Sequence, residues 1–516
     1  MHISTSTLLL VSSGLLGQSE ASRPPKNPQE CCNLLNQKFQ GQGKVIMQSH
    51  PNYAGLNVHW LAASQLSPTC IFSPKTARDV SKAVALFSNY RCVFAIRGGS
   101  HMPNKGFSST NNGVLVSLRD LNEISYNRHQ HTVKVGAGNR WTNVYDHLDP
   151  KGVAVVGARD ADVGVSGFLL GGGISFLSNK YGWAADNVVE YEVVLANGDI
   201  VHANKYQHVD LMGCLRGGSS NFGIVTSFTL KTYNIYAHAA GPVRYNASYV
   251  PQLFAPLYNY IATGQDADPN FHIIPNFIKN PGQPHRAIFI TFYTKEVDLS
   301  NPPAVMKPWV DGSIPSYNNS LVNRTGVGSL PKYFAGTGGA SLPFRSQWHV
   351  TSVLADEQLF RTIHALWLNV SAPFEASIPG FSNSLAMQPI GRKYIHTTNT
   401  APGRNVLGIK RPLVIVSANI YWDNESDDAT MNTFLLDLFA QIKAAAAAVG
   451  KLAGYEYLNY GAITQDPISS YGNDNLIRLR WAKRRYDPCN VFGTLVEGGY
   501  KIPGAHVDPL RCRFHH

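Results

Sequence analysis

Beyond its first sixteen residues the chain has no run approaching the eighteen apolar residues of a membrane span, so no spanning helix is expected. It is also poor in charge, with Asp, Glu, Lys and Arg making up 15% of 516 residues; the surplus is basic, +11 at neutral pH, but scattered. The densest cluster, Arg478, Arg480, Lys483, Arg484 and Arg485, reads as a solvated helix face, and without interleaved exposed aromatics it gives no footprint for nucleic acid. No phosphate-binding P-loop is present. The one approach to a dinucleotide fingerprint, Gly136-Ala137-Gly138-Asn139-Arg140-Trp141, puts Trp141 where the third glycine belongs. Histidines do not fall at ligand spacing from cysteines or carboxylates, so no metal site is expected. No internal repeat occurs. A hydrophobic content of 44% over this length suggests two domains or one large composite unit.

Two passages are dense in glycine. In the first, Ile96-Arg97-Gly98-Gly99-Ser100-His101 sets a histidine beside a glycine pair at the end of an apolar strand, Val93 to Ile96. Residues without side chains let backbone N–H groups close on an anion, and Arg97 adds fixed positive charge. That is the makeup of a loop laid against a flat or phosphorylated ligand. The second runs Val163-Gly164-Val165-Ser166-Gly167-Phe168-Leu169-Leu170-Gly171-Gly172-Gly173, and downstream come Leu215-Arg216-Gly217-Gly218 and Gly223-Ile224-Val225. Far along the chain stand Tyr457-Leu458-Asn459-Tyr460 and Tyr486-Asp487-Pro488-Cys489.

Thr76 with Asp79 opens a helix with a capping box, and Val80, Ala83, Val84 and Phe87 follow at helical spacing. Short strands are expected at Val93 to Ile96, Val114 to Leu118 and Thr132 to Val135, with a hairpin turning at Asn197-Gly198. From about 236 the texture changes. Phe271 to Ile278, Arg286 to Tyr293 and Leu413 to Tyr421 read as strands, Asp356 to Asn369 and Asp428 to Val449 as helices, and 300 to 345 as a long loop or lid.

The first residues have the apolar centre of a secretory signal, with Ser19-Glu20-Ala21 as its cleavage site, though the segment before the apolar run has no Lys or Arg. Four early cysteines, Cys31, Cys32, Cys70 and Cys92, suit two bridges in an oxidising compartment; Cys31 with Cys70 and Cys32 with Cys92, or the swapped pairing, are both open. Cys214, Cys489 and Cys512 are left unassigned. Five sequons, at Asn246, Asn318, Asn323, Asn369 and Asn424, agree with secretion and all lie in the middle of the chain, which must therefore expose surface.

Taken in order, these motifs resemble the FAD-linked oxidases of the p-cresol methylhydroxylase superfamily, in the berberine-bridge-enzyme-like branch, from about Cys31 to about Ile502. The resemblance implies an α+β fold: a two-part FAD-binding domain with an inserted substrate domain of antiparallel sheet covered by helices. Its expected bounds are a signal peptide at 1–21, an N-terminal arm at 22–61, the FAD-binding domain at 62–235, the substrate domain at 236–450, a returning segment at 451–503 and a tail at 504–516. His101 matches the histidine that in this family is bonded to the flavin, and one bridge is implied to pin the N-terminal arm near its loop. Arg97, Gly98, Gly99 and Ser100 are implied at the pyrophosphate, Gly164, Ser166 and Gly167 beneath the flavin, Ile224 and Val225 near adenine, and Asn459 at the flavin.

Some relatives carry a second link through a cysteine, and Asp160 stands at that position, so a single covalent bond is implied. Tyr460 is the leading candidate for proton abstraction, with Tyr457 second. The strand that often supplies a charged group in the family shows Ser417, Asn419 and Tyr421 instead. The implied function is that of a monomeric oxidase of the secretory pathway, which takes hydride from a small, apolar or aromatic molecule and reduces O2 to H2O2, in secondary-metabolite synthesis. Oligosaccharide oxidation, cyclisation without net redox, and flavin binding without catalysis are the alternatives.

Overall fold

A computed structural model of the protein describes residues 25–335, 342–395, 403–508 and 512. The expected signal peptide lies outside them. Among the described residues three sheets organise the chain. The first is a small sheet of β1 (Val45–Met47), β2 (Cys70–Phe72), β3 (Phe94–Arg97) and β4 (Val114–Ser117), in the order β1-β2-β4-β3, with β4 parallel to both its neighbours. The second holds β5 (Ile124–Asn127), β6 (Thr132–Gly136), β7 (Val188–Val194), β8 (Ile200–Asn204) and β9 (Ile224–Lys231), ordered β5-β6-β9-β7-β8 and antiparallel throughout. The β7–β8 pair is the hairpin expected from Asn197-Gly198, and the helix Ala77–Tyr90 begins with the Thr76/Asp79 capping box.

The third sheet is antiparallel and larger. It takes β10 (Ala237–Asn246), β11 (Phe271–Lys279), β12 (Arg286–Tyr293), β13 (Asn318–Asn319), β14 (Val322–Thr325), β15 (Arg345–Val353), β16 (Ser382–Ile390) and β17 (Leu413–Trp422), in the path β13-β10-β12-β11-β16-β17-β15 with β14 on β10. Alternation along these strands divides their side chains between two faces. Phe271, Ile273 and Phe277 of β11, with Val416, Ala418 and Ile420 of β17, join one buried cluster with the helices Val250–Asn259, Glu357–Ser371 and Asp428–Ala448. Ile274 and Asn276, and Asn419 and Tyr421, face the other way, toward the first two sheets and a cavity between them.

The expected long loop from 300 to 345 is corrected in part. It holds β13 and β14, which pair with β10, and the short helix Ser329–Phe334. The segment after Lys451 returns to the first core, where Tyr455, Tyr457, Leu479 and Phe492 pack with Val84, Val135 and Leu169. The chain therefore builds one core from two separated stretches and inserts the large sheet between them.

Three disulfides close the described chain: Cys31–Cys92, Cys32–Cys70 and Cys489–Cys512. The first two are the swapped alternative, and they tie the helix Pro28–Lys38 to the first sheet; Cys214 is free and buried. The basic cluster near the C-terminus departs from its expected role. In the helix Asn473–Tyr486, Arg484 and Arg485 are exposed, but Lys483 is buried and pairs with buried Asp487 at 2.6 Å, while Arg478 and Arg480 cap backbone carbonyls of 404, 405 and 503. Trp481 is exposed beneath the Arg485 guanidinium, an aromatic that the sequence reading did not place at the surface. The asparagines of all five sequons are exposed.

Candidate active site

β3 ends where the glycine loop begins, and this geometry sets the site. Ile96 lines a cavity of about 650 Å³, so by strand alternation Arg97 turns to the opposite face. There Arg97 is buried and donates to the carbonyls of Leu56 and Val58, so it does not reach the cavity as expected of a pyrophosphate ligand. Gly98, Gly99, Ser100 and His101 all line it. A Cβ on Gly99 would stand 2.4 Å from the Cα of Gly164, so the two glycine-rich loops touch backbone to backbone. Ser100 adopts a left-handed backbone, φ 52°, which turns the chain so that the next residue enters the cavity wall.

The His101 ring stacks on Trp60, with centroids 4.1 Å apart and planes 14° from parallel. Burial, with the Arg140 guanidinium adding to it, pulls its imidazole down to about 4, so the ring is neutral near pH 7. Asp160 lies 3.9 Å from its Nε2. Burial pushes that carboxyl up to about 6, against the Asp162 N–H it accepts at 2.8 Å and together with repulsion from the Asp162 carboxylate.

Gly164, Ser166 and Gly167 line the same cavity, as do Ile224 and Val225, and Asn459, Tyr457 and Tyr460 approach it from the returning segment. Of the residues expected at the site, only Arg97 is turned away. The two tyrosines differ. Tyr457 is buried, and its oxygen accepts from the Gly173 N–H at 3.1 Å and from the Asn459 amide at 3.0 Å; burial raises its phenol well above the usual range. Tyr460 accepts from Nη2 of Arg159 at 2.7 Å. The same nitrogen donates to Oε1 of Gln388 at 2.7 Å, and Nη1 lies 3.5 Å from Nε2 of His272. Asn419 donates to the Tyr421 oxygen at 2.9 Å, and both line the cavity, whereas Ser417 of the same strand face does not.

Sequence reasoning assigned no role to Arg159, Gln388 or Trp60. Arg159 adjoins the singled-out Asp160, which was the one available signal; its partners come from three distant stretches. Nothing local marks Trp60.

The comparisons agree with this geometry. Residues 68–204 match the family model of the FAD binding domain, and 456–494 match that of berberine and berberine like proteins. An FAD-dependent monooxygenase of Penicillium roqueforti is 33% identical over 472 residues, covering 86% of this chain and 88% of its own. The chain belongs to the berberine-bridge-enzyme-like family of FAD-linked oxidoreductases. A second relative, the bifunctional solanapyrone synthase of Alternaria solani, is 31% identical, with 92% of this chain and 88% of its own covered. The crystal structure of 6-hydroxy-D-nicotine oxidase from Arthrobacter nicotinovorans superposes with a TM-score of 0.74 at 22% identity, over 89% of this chain and 98% of its own, and shows a shared fold.

The residues of this oxidoreductase fit the FAD its family binds. Close-packed glycine loops leave backbone along one wall, a neutral imidazole stands fixed against an indole, and the cavity volume lies within the range of small-molecule and cofactor sites, roughly 300–1,000 Å³.

Proposed function

We propose that the protein is an FAD oxidase of the secretory pathway that oxidises a small, largely apolar molecule, in the class of secondary metabolites, and returns the electrons to O2. The flavin, when bound, supplies the hydride acceptor and the route to O2, with H2O2 as product. The observation that carries this reading is that one cavity is lined by two groups: a neutral, stacked His101 on the loop after β3, and Tyr460 held by Arg159, which also bonds the large sheet.

His101 is proposed to carry the flavin by a single bond. A neutral imidazole nitrogen is nucleophilic, Trp60 fixes the ring plane, and Asp160 cannot form the thioether that a cysteine would make. Tyr460 is proposed as proton acceptor, because the guanidinium that donates to its oxygen stabilises the negative charge it takes on when its own proton leaves. Ile274, Ile290, Phe176 and Phe334 give the substrate side apolar walls, which suits aromatic or aliphatic molecules better than sugars. The disulfides and exposed sequons support the secretory assignment.

The test is anaerobic mixing of the purified holoenzyme with extract fractions from a strain lacking the gene. A fraction that bleaches the flavin, followed by H2O2 release on admitting air, supports the oxidase. Conversion of the substrate while the flavin stays oxidised would replace it with cyclisation without net redox.

A further inference from the structure

Among the described residues two charged side chains line the cavity, Arg159 and Asp160. Although adjacent in sequence they make no ion pair with each other. The carboxyl of Asp160 stands beside His101, on the cofactor wall. Arg159 turns to the large sheet, where all its partners are neutral: Gln388 of β16, His272 of β11 and the Tyr460 phenol. His272 is buried, and burial together with the Arg159 charge holds its imidazole well below its ordinary value, so it supplies no countercharge and adds none. A guanidinium has five N–H donors, and these contacts use at most three. Until Tyr460 gives up its proton, this partly buried cation has only neutral partners and is electrostatically incomplete, since its desolvation is offset only by dipoles.

The geometry points to a substrate that completes this pair: an otherwise apolar molecule bearing an anionic oxygen, as carboxylate or as the conjugate base of an acidic enol or phenol, received by Arg159 beside Tyr460. This rests on the oxidase reading of the same cavity. Both hydrogens of Nη2 are already used, so the donors left for an anionic oxygen are Nε–H and one Nη1–H, each able to form a charge-assisted hydrogen bond. The anion would sit next to the proton acceptor and not at a remote end of the cavity, so it would orient the substrate as well as hold it. The walls around it, Ile274, Ile290, Phe176 and Trp348, leave the rest of the molecule an apolar environment. A competing arrangement, a cationic amine on Asp160, would bring a positive charge into the cavity that Arg159 faces.

The experiment titrates the oxidised holoenzyme with benzoate, benzamide and benzylamine, three probes of one size, and follows the flavin absorption band. Benzoate is expected to bind about tenfold or more tighter than benzamide, with benzylamine weakest. Arg159→Gln should remove the preference for benzoate, and Arg159→Lys should keep part of it. Equal binding of benzoate and benzamide by the wild-type protein, tighter binding of benzylamine, or no response to benzoate overturns the proposal, and none of these outcomes needs a variant to fold. Retention of the full benzoate preference in Arg159→Gln overturns it as well. The oxidase reading is checked separately by reducing the same holoenzyme anaerobically with dithionite, removing the excess reductant by gel filtration under nitrogen, and then admitting air. Failure to release H2O2 there would sink that reading, while the binding titration stands or falls by itself.

Discussion

The oxygen of Tyr460 meets one cationic donor, while that of Tyr457, three residues earlier, is held by a backbone N–H and a neutral amide. Replacing Tyr460 with Phe is expected to slow flavin reduction by roughly 10²- to 10⁴-fold, with the flavin spectrum nearly unchanged. Tyr457→Phe should leave the reduction rate within about tenfold and instead lower unfolding stability by about 1–2 kcal/mol, since it strips the acceptor from the buried Gly173 N–H and from the half-buried Asn459 amide. Stopped-flow reduction and chemical denaturation of both variants decide between them; the reverse pattern would move the proton acceptor to Tyr457. For His101, acid precipitation of the wild-type protein should leave a yellow pellet, and His101→Ala should release its flavin to the supernatant. Colourless wild-type pellets would remove the covalent link. His101 was readable from sequence because a glycine pair at the end of an apolar strand is a local pattern. Arg159 was not, because its partners lie 113, 229 and 301 positions away and only the fold brings them together.

The same divide between local and distant causes holds for whole elements. The helix Ala77–Tyr90 and strands β11, β12 and β17 announce themselves by capping or by runs of branched and aromatic residues. β16, Ser382–Ile390, reads Ser-Asn-Ser-Leu-Ala-Met-Gln-Pro-Ile, with one β-branched residue and a proline, and it is a strand because β11 and β17 flank it. Arg97 shows the converse, a residue whose motif was readable but whose direction was set by the alternation of β3. In the C-terminal helix, charge count suggested a wet face, yet Lys483 is 1% exposed because Asp487 and the carbonyl of Asn221 meet its ammonium. Asp487 in turn accepts from the N–H groups of Val491 and Phe492 and so fixes the turn that follows. Lys483→Met should therefore cost about 3–5 kcal/mol by denaturant unfolding, because it leaves a carboxylate buried without its cation. Arg484→Met, at an exposed position of the same helix, should change stability by less than about 0.5 kcal/mol. Equal losses in the two would mean that the pair does not stabilise the fold.

At the scale of the molecule the buried histidines set how the protein responds to acid. Burial lowers His59 and His349 to about 3 and His238 and His364 to about 4, and holds His272 well below its ordinary value. They are spread over the N-terminal arm, four strands or helices of the inserted unit and both cores, so no single local opening relieves them. Between each lowered value and 6.5, the value of an unperturbed imidazole, the unfolded chain binds protons that the native protein does not. Stability then increases with pH across that window and is lost as pH falls through it. Asp149, Asp160 and Asp487 act in the opposite sense, since burial raises them and the native state holds their protons longer, but they are fewer than the lowered histidines. The melting temperature should accordingly fall as pH is lowered from 6.5 toward 4. Lowering the pH also adds charge to a chain that is already at +11, so general repulsion acts in the same direction. His349 separates the two causes. Its ring stacks on Phe439 at 4.4 Å, and its Nδ1 is buried without a hydrogen-bond partner, so it must charge in an apolar setting. His349→Gln keeps a polar side chain of similar size and removes that titration, and its melting curve should depend less steeply on pH over this window than the wild-type curve. An unchanged slope in the variant would assign the acid response to net charge and not to histidine burial.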